Sequence, residues 1–323
     1  MDTDHAVREI RTLGQLPLES IRIAFMDAFS DYEVRISMPM EKFQGMIRTR
    51  DLDLSRSIGY FEGDTLVGFI LVGCRHLMGC EYWYDGGTGI IQENRRQGIG
   101  TLMLQNLLAR MKTEMVSGFV LEVLEHNAPA IALYAKHGFT IRRRLCCFSI
   151  PKQDLALRKL ESLECASLSR SDDIDCYASL PIDHYLAFPP SWQNAGESIK
   201  NSLHDYAFTA LLDAKGVVGY GLIHKVSGDV PQLGVLPAWR GKKVEPLLLA
   251  QLGRQCQSDR LTLLNVDEQD PLCLVLSELG FENFINQYEM SIGDGLPDFP
   301  DCQACQAQEN SHRLCESMVS SRK

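Results

Sequence analysis

Hydrophobic residues in the first half of the chain follow two different periods. Short apolar or alternating runs bounded by turn residues predict strands, and they cover residues 57–61, 65–74, 81–91, 119–124 and 139–150. Apolar residues three and four positions apart predict amphipathic helices, and they cover residues 99–111 and 129–137. Gly63-Asp64 predicts a hairpin turn, and Gly138 is a typical helix C-cap. The pattern predicts a mixed α/β unit.

The second half repeats this order of elements. Its predicted strands are residues 208–212, 217–224, 261–266 and 281–292, and its predicted helices are 246–256 and 271–279. In each half a proline precedes a Gly-Phe pair by nine residues, Pro129 before Gly138 and Pro271 before Gly280. Such internal similarity indicates one structural unit used twice.

The length of the chain agrees with two domains. At about 150 residues per domain, 323 residues are enough for two. We predict a first domain over residues 1–150, a linker over 151–165 and a second domain over 166–293. Residues 294–323 are polar with little periodicity, and we expect them to be a disordered tail.

Composition narrows the possible partners and compartment. The net charge of -10 argues against general binding to nucleic acid or to anionic membranes. No apolar stretch reaches the roughly 18 residues that predict a membrane span. The eleven cysteines are scattered, and the N-terminus has no signal-peptide pattern. We therefore expect a cytoplasmic protein with reduced thiols, while the oligomeric state stays open.

The segment after Ile91 has the features of an anion site. A predicted strand leads into Arg95-Arg96-Gln97-Gly98-Ile99-Gly100, and a predicted helix follows at once. The first N–H groups of a helix lack backbone partners and carry partial positive charge, so they attract phosphate. The spacing lacks the Gly-Lys-Ser/Thr of a P-loop and the G-x-G-x-x-G of a dinucleotide fold. On these residues alone, a simple tight turn is the alternative.

The first half as a whole resembles the GNAT acyltransferase family. The matching segments, in order, are Ile90-Ile91, Arg95 to Gly100, Glu122-Val123, Asn127 and Leu133-Tyr134-Ala135-Lys136-His137-Gly138-Phe139. The resemblance covers residues 8–150 well and 166–292 weakly. It implies two tandem GNAT-like domains, each a mixed, mostly antiparallel sheet flanked by helices.

The resemblance implies acetyl-CoA as co-substrate and no resident metal. In this family the backbone around Gln97 to Thr101 would hold the pyrophosphate, the Ile90-Ile91 strand would pair with the pantetheine arm, and an N–H near Ile91 would polarise the thioester. The cofactor-binding residues that it implies are Ile90, Ile91, Arg95, Arg96, Gln97, Gly98, Ile99, Gly100, Thr101, Asn127 and Tyr134.

Tyr134 matches the general acid of the family, which protonates the leaving thiolate. The general base stays open among Glu81, Asp85 and Glu122, each of which is also a candidate structural carboxylate. The family builds its acceptor site from its first helices, which makes Asp27, Asp31 and Tyr32 candidates for binding a cationic amine. Solvated acids at a helix end are the alternative for these three residues.

The second copy of the turn has lost its glycines. Aligned on Arg240, it has Lys243 and Glu245 where the first copy has glycine. Gln269 replaces Asn127, and Leu276 replaces Tyr134. Because a carboxylate repels pyrophosphate, we predict a degenerate unit without a CoA site.

The sequence therefore predicts an N-acyltransferase that moves an acetyl group from acetyl-CoA to a primary amine, in a ternary complex. A small-molecule amine is favoured, because the chain has no basic surface or peptide-docking motif. The alternatives are a non-catalytic acetyl-CoA sensor and a purely structural scaffold. The tail residues Cys302, Cys305, His312 and Cys315 are a possible zinc set, but disordered tail cysteines are the preferred interpretation.

Overall fold

We describe a computed structural model of the chain, over residues 7–31, 38–155 and 168–296. Two compact units divide these residues. The first contains the chain up to Arg143 together with the segment that starts at Tyr288, and the second contains Arg144–Gln287. The predicted domain limits of 150 and 166 remain a prediction. Tyr32, the tail cysteines and most of the predicted linker and tail lie outside the described residues.

Among the described residues, the first unit contains four α-helices, five whole strands and parts of two more. Its elements in chain order are β1 (Arg8–Thr12), α1 (Leu18–Ala28), α2 (Met40–Thr49), β2 (Ile58–Glu62), β3 (Thr65–Leu77), β4 (Cys80–Ile90), α3 (Ile99–Thr113), β5 (Gly118–Leu124), α4 (Ala128–Lys136) and the start of β6 (Thr140–Pro151). The end of β12 (Glu282–Gly293) completes the unit. Its strands lie in the order β1-β2-β3-β4-β5-β12.

Helices cover both faces of this sheet. On one face, the Phe25 ring of α1 stacks on the Phe69 ring of β3 at a centroid distance of 5.8 Å. On the other face, α3 and α4 pack with β3, β4 and β5 into a core that includes Trp83, Phe119 and Tyr134. Sheet neighbours are antiparallel from β1 to β4, whereas β4 and β5 are parallel. The predicted mixed α/β class is confirmed.

The parallel pair β4–β5 separates before either strand ends. The last paired residues are Asp85 and Leu121, although β4 continues to Ile90 and β5 to Leu124. A bulge at Gly86 marks the point of separation, since Leu71 pairs with Gly87 but Val72 with Asp85. A Cβ atom at Gly86 would lie 2.4 Å from Leu52 Cδ2, so any larger residue there would require the Leu52 side chain to move. We call the gap beyond Asp85 and Leu121 the wedge.

The second unit is built around two groups of strands. Its further elements are β7 (Ser169–Ser171), α5 (Gly196–Lys200), β8 (Tyr206–Asp213), β9 (Gly216–His224), β10 (Gln232–Val235), α6 (Val244–Gly253), β11 (Arg260–Asp267) and α7 (Leu272–Glu278). One group has the order β10-β9-β8-β7, and β11 pairs with β6 in the other. The strands β10 and β11 thus lie in separate groups, and an isolated parallel bridge joins Asp229 to Thr262. No helix within the described ranges is long and apolar enough to cross a bilayer.

Candidate functional site

The turn before α3 has the geometry of an anion site. Gly98 is the N-cap residue in a left-handed conformation, with φ of 81°. The first turn of α3 contains no acidic residue, and no side chain caps it. A Cβ atom at Gly98 would meet no atom within 4 Å, so the turn is open to solvent. The N–H groups of Ile99, Gly100 and Thr101 therefore stand at an uncovered helix N-terminus, where an anion is stabilised.

Arg95 is committed to the protein instead of facing this N-terminus. Its guanidinium donates to the carbonyl of Ile90 at 3.1 Å and to that of Ala28 at 2.7 Å. It also forms a two-pronged ion pair with Asp31, at 2.6 and 2.9 Å. These bonds lower the pKa of Asp31. Arg95 and Asp31 thus pair with each other in this structure, and the roles predicted for them, toward phosphate and toward an amine, stay predictions. The neighbouring Arg96 is exposed.

The wedge ends at this same turn. Ile91 N–H donates to the Val67 carbonyl of β3 at 2.9 Å, so it does not face the wedge. Successive N–H groups of a strand point to opposite edges. The N–H of Ile90, next to it, therefore points away from β3 and toward the wedge. A ligand lying along β4 would meet unpaired backbone first and the helix N-terminus afterwards.

Two carboxylates stand at the apex of the wedge, on opposite faces of the sheet, the buried Asp85 and the half-buried Glu122. The side chain of Asp85 lies on the face of α3 and α4, where Tyr134 donates its hydroxyl proton to Oδ2 at 2.9 Å. Thr88 also donates to Oδ2, at 2.6 Å, and Gly87 N–H donates to Oδ1 at 3.0 Å. Burial raises the pKa of Asp85, while these donors oppose the rise. Asp85 is thus saturated with donors and holds the Tyr134 hydroxyl in place.

Glu122 is the first residue of β5 beyond the last pair with β4. It alternates with Leu121 and Val123, which belong to the core under α3 and α4, so its side chain lies on the opposite face. Tyr84 donates its hydroxyl proton to Oε2, whereas Oε1 is buried and has no hydrogen-bond partner. Burial raises the pKa of Glu122 to about 7.

The other candidate residues have local roles. Asn127 is the N-cap residue of α4, and its side chain accepts from Ala130 N–H at 3.2 Å. Asp27 is exposed on α1. Glu81 forms an ion pair with Arg56 at 2.8 Å and accepts a hydrogen bond from the indole N–H of Trp83 at the same distance, so its carboxylate already has two partners.

One cluster has the composition of a metal site. Cys74, His76 and Glu81 hold three possible ligand atoms within 4.8 Å of one another. The Cys74 thiol donates to Glu81 at 3.3 Å, and burial raises the pKa of that thiol to about 12. His76 Nε2 lies 3.4 Å from Glu81, so the Glu81 carboxylate contacts both of the other side chains.

The second unit repeats the backbone of the turn without its open end. Arg240 donates to the carbonyls of Val235 and Tyr185, both at 3.1 Å, as Arg95 does to Ile90 and Ala28. Lys243 is the N-cap residue of α6, with φ of 66° where Gly98 has 81°. Glu245, in the first turn of α6, is buried. The backbone of the turn therefore has a similar shape in both units, but in the second unit a carboxylate lies at the helix N-terminus.

Comparison with known proteins agrees with the resemblance. Residues 18–139 match the model of the Acetyltransferase (GNAT) family. The fold is similar over 90% of this chain to 100% of a tandem GNAT protein from the clavulanic acid biosynthesis pathway, with a TM-score of 0.66 and 14% identity. It is also similar over 90% of both chains to a putative acetyltransferase from Pyrococcus horikoshii, with a TM-score of 0.61 and 16% identity.

A third similar structure is a GCN5-related glucosamine N-acetyltransferase region of a fungal multi-domain GH3 β-N-acetylglucosaminidase. The TM-score is 0.67 at 12% identity, over 89% of this chain and 38% of that one. No curated protein matches the sequence. The predicted GNAT resemblance and the tandem fold class are confirmed, and identities this low support the fold alone.

The four hydrogen bonds of Arg95 generate a test. Arg95→Lys keeps the charge but removes the planar fork, so we expect the free energy of unfolding to fall by about 1–2 kcal/mol. The adjacent and exposed Arg96→Lys is the matched control, with an expected change within about 0.5 kcal/mol. Urea denaturation measures both, and equal stabilities of the two variants would contradict the assignment.

Proposed function

We propose that this protein, whose first unit matches the GNAT acetyltransferase model, transfers an acetyl group from acetyl-CoA to a primary amine of a small molecule. The observation that carries the proposal is the wedge between β4 and β5. It ends at an open helix N-terminus and has Glu122 and Tyr134 on opposite faces at its apex. We propose that the reaction takes place in the first unit, by direct attack of the amine.

The wedge supplies the contacts that an acyl-CoA needs. The backbone of Thr88 and Ile90 pairs with the extended pantetheine arm as an added strand. The N–H groups of Ile99 to Thr101, with the neighbouring Gln97 and Gly98, receive the pyrophosphate. The Ile90 N–H is placed to donate to the thioester oxygen and to stabilise the oxyanion that develops there.

Glu122 is the general base in this proposal. The amine approaches from the face of α1 and α2 and passes a proton to the free Oε1 atom, directly or through one water. This converts the ammonium to the neutral amine, whose nitrogen attacks the thioester carbon. The carbon–sulfur bond of the tetrahedral adduct then breaks, and the nitrogen releases its second proton to water to give the amide. A base with a pKa near 7 is half ionised at neutral pH and still basic enough to take the proton.

Tyr134 completes the reaction from the other face of the sheet. In the structure its hydroxyl donates to Asp85, which fixes the position of the hydroxyl oxygen. During the reaction the O–H turns from Asp85 to the departing thiolate and gives its one proton to the sulfur. Asp85 is thus a positioning residue, since three donors already occupy it. After the reaction Glu122 is protonated and Tyr134 is deprotonated. Because the two side chains lie on opposite faces of the sheet, water takes the proton from Glu122 and returns one to Tyr134.

Gly100→Glu tests the donor site. In the second unit a glutamate stands at the equivalent position, Glu245. A Cβ atom at Gly100 would lie 3.2 Å from Leu133 Cδ2 and 3.4 Å from Ile90 Cδ1, two side-chain ends that need to move only slightly. We expect acetyl-CoA affinity to fall by about 100-fold or more, because the carboxylate opposes the pyrophosphate. Gly100→Gln, of equal size and no charge, should lose less. Isothermal titration calorimetry measures both, and unchanged binding by Gly100→Glu would remove the turn from the proposal.

Glu122→Gln tests the base through the pH dependence of the rate. A carboxylate acts as a base only when ionised, so kcat/KM of the wild type should rise with pH through about 7. In the variant, the rise of kcat/KM through pH 7 should disappear and the rate should fall by about 100-fold. The pH dependence that remains should be that of the ionisation of the amine. Glu125→Gln, three residues along the chain, should keep the rise through pH 7. A rise that persists in Glu122→Gln would reassign the base.

Tyr134→Phe tests the acid. Removing the hydroxyl should lower kcat by about 10- to 100-fold while acetyl-CoA affinity changes less than threefold. Tyr82→Phe is the control, because Tyr82 is a buried tyrosine of β4 that lies outside the proposed chemistry. Release of free thiol with a panel of amines, amino sugars included, measures turnover. Tight acetyl-CoA binding without turnover for any amine would favour the non-catalytic sensor.

A further inference from the structure

The second unit contains a cleft beside its altered turn. A cavity of about 320 Å³ lies between β10, the turn at Arg240 and helix α7. Val235, Leu272 and Val275 give it an apolar wall. The cleft is therefore still present where the first unit has its open helix N-terminus, although the residues that face it have changed.

Acidic side chains outnumber basic ones in this cleft, and Arg240 is the one cation among its described lining residues. Glu245 and Asp270 line it, and Glu245 is only 8% exposed. The Glu245 carboxylate is held by its own backbone N–H, and no other described residue donates a hydrogen bond to it. Asp270 accepts one bond, from Leu272 N–H at 2.8 Å. Exposed Glu278 stands at the edge of the cleft.

Arg240 does not neutralise these acids. Its Nε and Nη2 atoms donate to backbone carbonyls, and no ion pair joins it to Glu245 or Asp270 within the described residues. Its charge lowers the pKa of both carboxyls, but burial raises the pKa of each by more. Asp270 also raises the pKa of Glu245, and Asp267 raises that of Asp270. The cleft thus holds two desolvated acids and a guanidinium that forms no ion pair with either of them among the described residues.

A buried carboxylate without a cation is costly, and a cation that enters beside it recovers that cost. The apolar wall favours a ligand with a hydrocarbon body over a bare metal ion, which prefers several oxygen ligands. We propose that the cleft of the second unit binds a small organic cation, with an ammonium group at Glu245 and Asp270 and an apolar body against Val235, Leu272 and Val275.

The two units thus bind ligands of opposite charge. The first unit presents bare N–H groups at its helix N-terminus to an anion. In the second unit the Glu245 carboxylate lies at the equivalent helix N-terminus and lines the cleft, where it binds a cation. Because protons compete with the ligand for these acids, affinity should increase as pH rises above the usual carboxyl range of about 4.

The test uses the full chain and n-hexyltrimethylammonium as the probe. Its quaternary nitrogen cannot accept an acetyl group, so its binding is independent of the proposed activity. Isothermal titration calorimetry should give one site, tighter at pH 7.5 than at pH 5, and no binding of hexanoate. The double variant Glu245→Gln, Asp270→Asn should weaken the probe by at least tenfold. The control Glu282→Gln, an exposed acid of the same unit, should not.

Three outcomes overturn the proposal: no binding of the probe by the wild type, equal binding by the double variant, or calcium binding lost in the double variant with the probe inert. Circular dichroism checks that the double variant is folded. Both carboxylates become amides of the same shape, so a folded variant is expected. Acetyl-CoA turnover by the double variant should equal that of the wild type. Absent turnover in both proteins would refute the proposed function and leave this site standing.

Discussion

The separation of β4 from β5 is the constraint on which the rest of the first unit depends. Backbone N–H and C=O groups rarely stay unpaired inside a protein, so two adjacent parallel strands normally pair along their whole length. Here the bulge at Gly86 ends the pairing, and Leu52 fills the space that a side chain would need. Arg50 donates to the Gly86 carbonyl at 3.4 Å. Side chains from outside the sheet thus hold the strands apart and leave an edge for a ligand.

Strand alternation then distributes the chemistry. Neighbouring side chains of β4, Tyr84 and Asp85, point to opposite faces at the apex of the wedge. Each brings a different partner, because Tyr84 bonds Glu122 and Asp85 bonds Tyr134. One residue step along β4 therefore leads to two different carboxylates, one with a buried oxygen that has no hydrogen-bond partner and one that accepts three hydrogen bonds. Burial raises the pKa of both.

What the sequence predicts well is local. The turn, the helix after it and Tyr134 lie within one continuous stretch, and their spacing alone indicates an anion site and a helix face. The long-range contacts were not predictable. Arg95 meets Asp31 across 64 residues and Tyr134 meets Asp85 across 49, and neither pair has a sequence signal. Both contacts bear on the predicted roles, since Arg95 pairs with Asp31 and Asp85 accepts the hydroxyl proton of Tyr134. The altered turn of the second unit shows the same limit, because Lys243 gives no sign that the left-handed backbone persists.

The segment from Tyr288 onward gives the first unit an unusual dependence on the order of synthesis. Met290 packs in the core of that unit, Tyr288 bonds Glu125 at 2.9 Å, and β12 lies beside β5, the strand of Glu122. A ribosome makes all of the second unit before it makes these residues. Until then β5 has an open edge next to the proposed base. The first unit emerges first but is completed last, so a nascent chain acquires the finished wedge only after both halves have been translated.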